Sequence, residues 1–222
     1  MYLFMQKNER LIILLAGIVT IVGLLVMLGW FLDVPLLKSI LPQWVTMKFS
    51  TALAFALSGI TLYLIFLCKR NSETAHVLLP LSSLFILLLM LVLFLSVVFG
   101  IKSGIEDLFV REDAGAVYTT VPGRPSIGTM IDFILIALLG LTAVFKVKRH
   151  RMFLRWGGGA ISVIGVIAIL GYVFNVPELY YTVENVSTAM ALHTAILFVL
   201  IGLDLVLLGI DSGQINQNTQ KI

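Results

Sequence analysis

Six stretches of the chain, residues 11–32, 47–67, 77–99, 127–145, 156–174 and 189–209, each run for about twenty residues with almost no charge. Where no water reaches the backbone, its N–H and C=O groups must bond to one another, so such stretches become helices. About twenty residues at 1.5 Å each also match the roughly 30 Å hydrocarbon layer of a bilayer. The runs are continuous and lack the two-residue alternation of a membrane barrel. Hydrophobic residues make up 59% of the 222 residues and charged ones 12%, where a soluble domain carries about a quarter charged. The expected fold is therefore all-α, a polytopic membrane bundle of six transmembrane helices over residues 1–210. The polar residues 211–222 are expected to form a disordered cytoplasmic tail with no room for a catalytic domain. The first run follows Lys7 and Arg10 as a signal peptide would, but it is too long and lacks a small-residue cleavage site, so an uncleaved anchor is expected.

Basic residues alternate across the runs. Lys7 and Arg10 precede the first, Lys69 and Arg70 separate the second from the third, and Lys146, Lys148, Arg149, Arg151 and Arg155 separate the fourth from the fifth. The other links carry Lys38, Lys48, Lys102, Arg111 and Arg124, offset by Asp33, Glu106, Asp107, Glu112, Asp113, Glu178 and Glu184. The positive-inside rule then sets both termini in the cytoplasm, in a multi-pass protein of the cell membrane. The net charge of +3 is spread over these short clusters and is no nucleic-acid signature. Cys68 is the only cysteine, which excludes an intrachain disulfide and a cysteine metal site. No cofactor is expected.

One phrase is written three times. Thr51-Ala52-Leu53-Ala54-Phe55-Ala56-Leu57-Ser58-Gly59 returns as Thr194-Ala195-Ile196-Leu197-Phe198-Val199-Leu200-Ile201-Gly202, with a weaker copy from Thr129 through Phe133 to Ala137. The threonine, the phenylalanine and the small residue fall at i, i+4 and i+8, on one helix face. The chain thus reads as three helical hairpins of one plan, N-in and C-in. The small residues serve close helix packing, and the alternative is that the three copies enclose a shared site. Ser50, Ser126 and Ser187 are candidate N-caps. In the longest link, residues 105–111 are expected to form a short interfacial helix with Ile105, Leu108 and Phe109 dipping into lipid. Glu106, Asp107, Glu112 and Asp113 could bind a cation, but Arg111 dilutes the cluster and no calcium-loop spacing is present, so a solvated face is expected. Pro122-Gly123-Arg124-Pro125 is expected as a rigid turn.

Ionisable groups within spans are candidate sites by default. His193 and Asp132 lie a turn or two into the sixth and fourth spans. For His193 the alternatives are a neutral imidazole bonded to a neighbouring helix, or ligand contact, proton sensing or metal coordination. His76 and His150 lie on the opposite side, against a paired-histidine metal site. Asp132 is expected either as a snorkelling or hydrogen-bonded carboxylate near the interface, or paired with Lys48 or His193 across the bundle centre. Lys48 and Asp204 are expected to snorkel to the two surfaces. Arg124 is read as an anion or headgroup contact, or as part of an ordinary turn. The candidate ligand-binding set is His193, Asp132, Lys48, Arg124, Thr51, Thr129 and Thr194. No catalytic motif emerges, so the chain is expected not to be an enzyme.

The stretches 45–55, 122–126 and Met190-Ala191-Leu192-His193-Thr194-Ala195 resemble the N-terminal membrane sensor regions of prokaryotic histidine kinases and related PAS-containing signalling proteins. The likeness extends to about Gly209. The family tends to have Pro-Asn where this chain has Phe49-Ser50 and Ile127-Gly128, and it couples its membrane part to a cytoplasmic output domain. The resemblance implies a sensor or signal-input module that stands alone or was cut from a longer protein, with a cytoplasmic signalling partner and a homodimer. An accessory subunit of a membrane complex and a small transporter are the alternatives, and an intramembrane enzyme is the least favoured.

Overall fold

The structure is a computed structural model that describes residues 2–113, 115–181 and 188–210, with side chains from residue 8 onward. Seven helices form, with no strand among the described residues: α1 (Tyr2–Phe31), α2 (Pro35–Lys38), α3 (Phe49–Cys68), α4 (Glu73–Val98), α5 (Ile127–Val144), α6 (His150–Phe174) and α7 (Leu192–Ile210). Single 3-10 turns lie at Ile105–Asp107 and Pro177–Leu179. All but α2 are long and apolar enough to cross a membrane. The connections alternate between short links, at one end of the bundle, and long links at the other.

The helix limits follow local chemistry. Ser126 caps α5, its hydroxyl accepting from the Thr129 amide at 3.1 Å. Ser50 is no cap: α3 begins one residue earlier, and Lys48 stands at its N-cap in extended backbone. Ser187 and the tail from residue 211 lie outside the described residues. α6 starts at His150, six residues before the apolar run, because the run of basic residues there continues a helix as readily as apolar ones. α7 starts at Leu192 instead of 189, because the residues ahead of it are tied down as extended chain. Ala189 donates to the Tyr118 carbonyl and Met190 to that of Tyr180, at 3.0 and 2.8 Å. Where an interfacial helix was expected at 105–111 only one 3-10 turn forms. Leu108 is exposed and Phe109 stacks on Phe49 with ring centroids 5.3 Å apart.

α1 packs chiefly on α3, α4 on α5 and α6 on α7. The second members of these pairs lie inside. In their most apolar stretches α3, α5 and α7 bury 72, 44 and 56%, against 33, 33 and 28% for α1, α4 and α6. Leu14, Ile21, Leu81 and Val163 stand exposed on the outer three, as on surfaces that meet lipid. At the centre, Phe55, Phe133 and Phe198 are fully buried against one another, with centroids 4.7, 4.9 and 5.0 Å apart in edge or tilted pairs. Apolar attraction to lipid tails equals attraction to a neighbouring helix, so these contacts hold by close packing and ring electrostatics.

Two glycines repeat one contact. A Cβ on Gly23 of α1 would meet the Ala52 carbonyl of α3 at 2.7 Å, and one on Gly165 of α6 would meet the Ala195 carbonyl of α7 at 2.6 Å. Ala52 and Ala195 are the second residues of their phrases. Seven residues earlier on each outer helix, Ala16 lies against Gly59 and Gly158 against Gly202, the ninth residues of the same phrases. Backbones come this close only where no side chain intervenes.

Candidate functional site

The charged residues of the long links assemble into a buried cap. Lys48 lies two residues after Thr46 and at the head of α3. Its Nζ donates to Glu112 Oε1 at 2.5 Å and to Thr119 Oγ1 at 2.7 Å. Thr46 Oγ1 donates to the same Glu112 oxygen at 2.7 Å, while Glu112 Oε2 accepts from the Gly123 amide at 2.8 Å. The side chains of Lys48 and Glu112 are 2 and 4% exposed. Lys48 therefore does not snorkel. Its short route to the surface is closed by the 101–126 link folded over it, and a carboxylate from that link replaces the lost water. Burial still holds the ammonium below the ordinary lysine value, opposed by the charge and hydrogen bond of Glu112.

A second pair lies beside the first. Arg124 Nη2 donates to Glu106 Oε1 at 2.8 Å and to the Ile101 carbonyl at 2.6 Å, and Nε adds a contact to Glu106 at 3.2 Å. Ser103 Oγ donates to Glu106 Oε2 at 2.7 Å. Burial pushes the Glu106 carboxyl up, but the hydrogen bonds from Arg124, from its own backbone amide and from Ser103 outweigh it and bring it to about 2. Gly123 has φ +75°, and a Cβ there would strike the Glu106 backbone, so the turn admits only glycine. The expected solvated acidic face is thus half buried structure. Glu106 and Glu112 point inward as counter-ions, while Asp113 stays exposed and Asp107 lies 3.8 Å from Lys102. Neither glutamate differs locally from its aspartate neighbour, so no sequence signal marks it. The phrase 122–126 works as one clasp: Gly123 holds Glu112, Arg124 holds Glu106, and Ser126 starts α5.

Around the cap, Trp30 Nε1 donates to the Met47 carbonyl at 2.8 Å, and the Lys38 ammonium lies over the Trp30 ring, 4.8 Å from its centroid. A cleft of about 610 Å³ opens between the end of α1 and the long link, lined in part by Trp30, Asp33, Lys38, Arg111, Glu112 and Asp113.

Beneath the cap the candidate residues separate. Asp132 is fully buried, and neither of its oxygens has a hydrogen-bond partner. It pairs with neither Lys48, which Glu112 holds, nor His193. Both ring nitrogens of His193 are also enclosed without a partner, so the imidazole bonded to a neighbouring helix is not found. The histidine borders a pocket of about 180 Å³ formed with Val22, Leu25, Val26, Leu37 and Ile40 of α1 and the α2 region. Thr51, Thr129 and Thr194 are buried one turn above the central phenylalanines, and Thr129 bonds Ser126 at 2.7 Å. Asp204, expected at the surface, is fully buried with unpartnered oxygens. Near it Lys69 donates to the Leu208 carbonyl and Arg155 Nε to the Gly209 carbonyl, the latter at 3.1 Å.

What the fold defines is a class: an all-helical bundle with six helices long and apolar enough to span a membrane, compatible with a multi-pass membrane protein. No family model matches the chain, and no curated protein or solved structure matches it.

Proposed function

We propose that the chain is a membrane signal-input module built as three hairpins of one plan, with both termini cytoplasmic and the capped long links outside. A stimulus reaching the capped half shifts α7 between two packings, and the far end of α7 passes the change to a cytoplasmic partner. The single observation that carries this reading is the course of α7. It bears the unpartnered His193 in the capped half, contributes Phe198 to the central ring cluster, and ends between the cations Lys69 and Arg155. One rigid element thus joins an unsatisfied buried polar group to the opposite end of the bundle. The equal glycine contacts of the first and third hairpins, and the meeting of the three phenylalanines, support the three-hairpin plan.

In this reading Lys48 and Arg124 brace the cap. His193 and Asp132, with Thr51, Thr129 and Thr194 nearby, are the groups from which a ligand gains differential affinity for the two states. The interlocked rings at mid-bundle speak against an open transport route. A chimera joining residues 1–210 to a kinase output domain tests the proposal. Substitutions at His193 or Asp132 are expected to alter the output, and constant output unmoved by either would overturn it.

A further inference from the structure

α6 is 25 residues long, about 37 Å at 1.5 Å per residue, and so outruns the roughly 30 Å hydrocarbon layer by its first turns. Measured back from Phe174, Arg155 and Trp156 fall at the lipid boundary, and His150 to Phe153 stand beyond it. These turns and the link before them carry Lys148, Arg149, Arg151 and Arg155 around a pocket of about 460 Å³. No acidic residue lies in the first turn of α6, and its N-cap position makes no side-chain bond. No carboxylate pairs with Lys148 or Arg149 among the described residues. Apolar side chains ring the cations at the same level: Phe145 and Trp156 are 73 and 75% exposed, and Phe153 is also exposed. An exposed tryptophan settles at the membrane interface, so Trp156 sets the depth of the pocket at the phosphates of the lipid headgroups.

We propose that this pocket holds the headgroup of an anionic phospholipid. Lys148 and Arg149 supply the charge from the link, Arg155 reaches the same phosphate from one turn into α6, and Trp156 lies against the head of the acyl chains. Because Arg155 also bonds the Gly209 carbonyl at 3.1 Å, the bound lipid touches the residue that holds the end of α7. This inference does not rest on the signalling reading.

The test uses the full chain in nanodiscs of phosphatidylcholine with equal amounts of phosphatidylglycerol and phosphatidylethanolamine. The lipids that stay bound after detergent extraction are counted by native mass spectrometry. Near a surface each cation contributes on the order of a fivefold preference for an anionic lipid, so the intact chain retains phosphatidylglycerol by about tenfold or more. The Lys148→Gln, Arg149→Gln double variant drops severalfold, toward the roughly fivefold preference that Arg155 alone would keep. The charge-keeping Lys148→Arg, Arg149→Lys swap retains the preference. So does Arg10→Gln, which removes a cation at the same end outside the pocket. Parity in the intact chain, or equal loss in Arg10→Gln, overturns the proposal. Displacement of the lipid by millimolar inorganic phosphate overturns it as well, since the site would then take a free anion.

Discussion

Lys48 and Glu112 lie 64 residues apart and meet at 2.5 Å with almost no exposure to water, joining the head of α3 to the middle of the longest link. A pair so enclosed makes each partner a burden without the other. Glu112→Ala is expected to destabilise the chain by about 3–5 kcal/mol, because it leaves a buried ammonium uncompensated. The double change Lys48→Met, Glu112→Leu is expected to recover most of the loss. Thermal unfolding in detergent measures both, and a mild effect of Glu112→Ala would show that water reaches Lys48.

The neighbouring pair responds to acid. Against the effect of burial, the hydrogen bonds of Arg124, its own amide and Ser103 hold the Glu106 carboxyl at about 2, below its ordinary 4.5. A lowered folded value stabilises fully above the ordinary one, and that contribution fades as pH falls from 4.5 toward 2. Its size is on the order of 3 kcal/mol at most. Protection of the 101–126 link against hydrogen exchange, measured relative to the intrinsic amide rate at each pH, is expected to fall over that window in the natural chain. In Glu106→Gln it should be lower already at neutral pH and lose the acid step. An unchanged acid step in the variant would assign the titration elsewhere.

The glycine contacts separate into positions of opposite sign. Gly23→Ala and Gly165→Ala each push a methyl into the facing helix backbone and are expected to cost about 1–3 kcal/mol. Gly159, with nothing within 4 Å of an added Cβ, is expected to gain up to about 1 kcal/mol from the same change through helix propensity. Melting curves of the three variants decide this, and equal shifts at all three would refute the close packing.

Asp132→Leu removes two enclosed oxygens that have no partner. Stability is expected to rise by about 1–3 kcal/mol, the cost of leaving such a group unsatisfied. In the kinase chimera the same substitution is expected to reduce the response. A variant that melts lower would mean that Asp132 has a stabilising partner.

The six spans and the facing phenylalanines were legible because both depend on local spacing. Twenty apolar residues make a crossing helix wherever they stand, and Thr51, Phe55 and Gly59 share a face by helix geometry alone. The cap was not legible. Lys48 carries no mark of a partner 64 residues away, and Glu106 and Glu112 resemble the adjoining Asp107 and Asp113. Turning two of these four acids inward depends on how the link folds over α3, which is long-range packing. Ser50 and Ser126 show the same limit on a small scale. Both precede a repeated threonine, yet only Ser126 caps a helix, because Lys48 and its partners set the start of α3.

Lys69, from the link after α3, and Arg155, from α6, grip adjacent carbonyls of α7 from two sides. Any shift of this helix along its axis pulls on both bonds at once, so its foot is moored at two neighbouring points by side chains from two different elements.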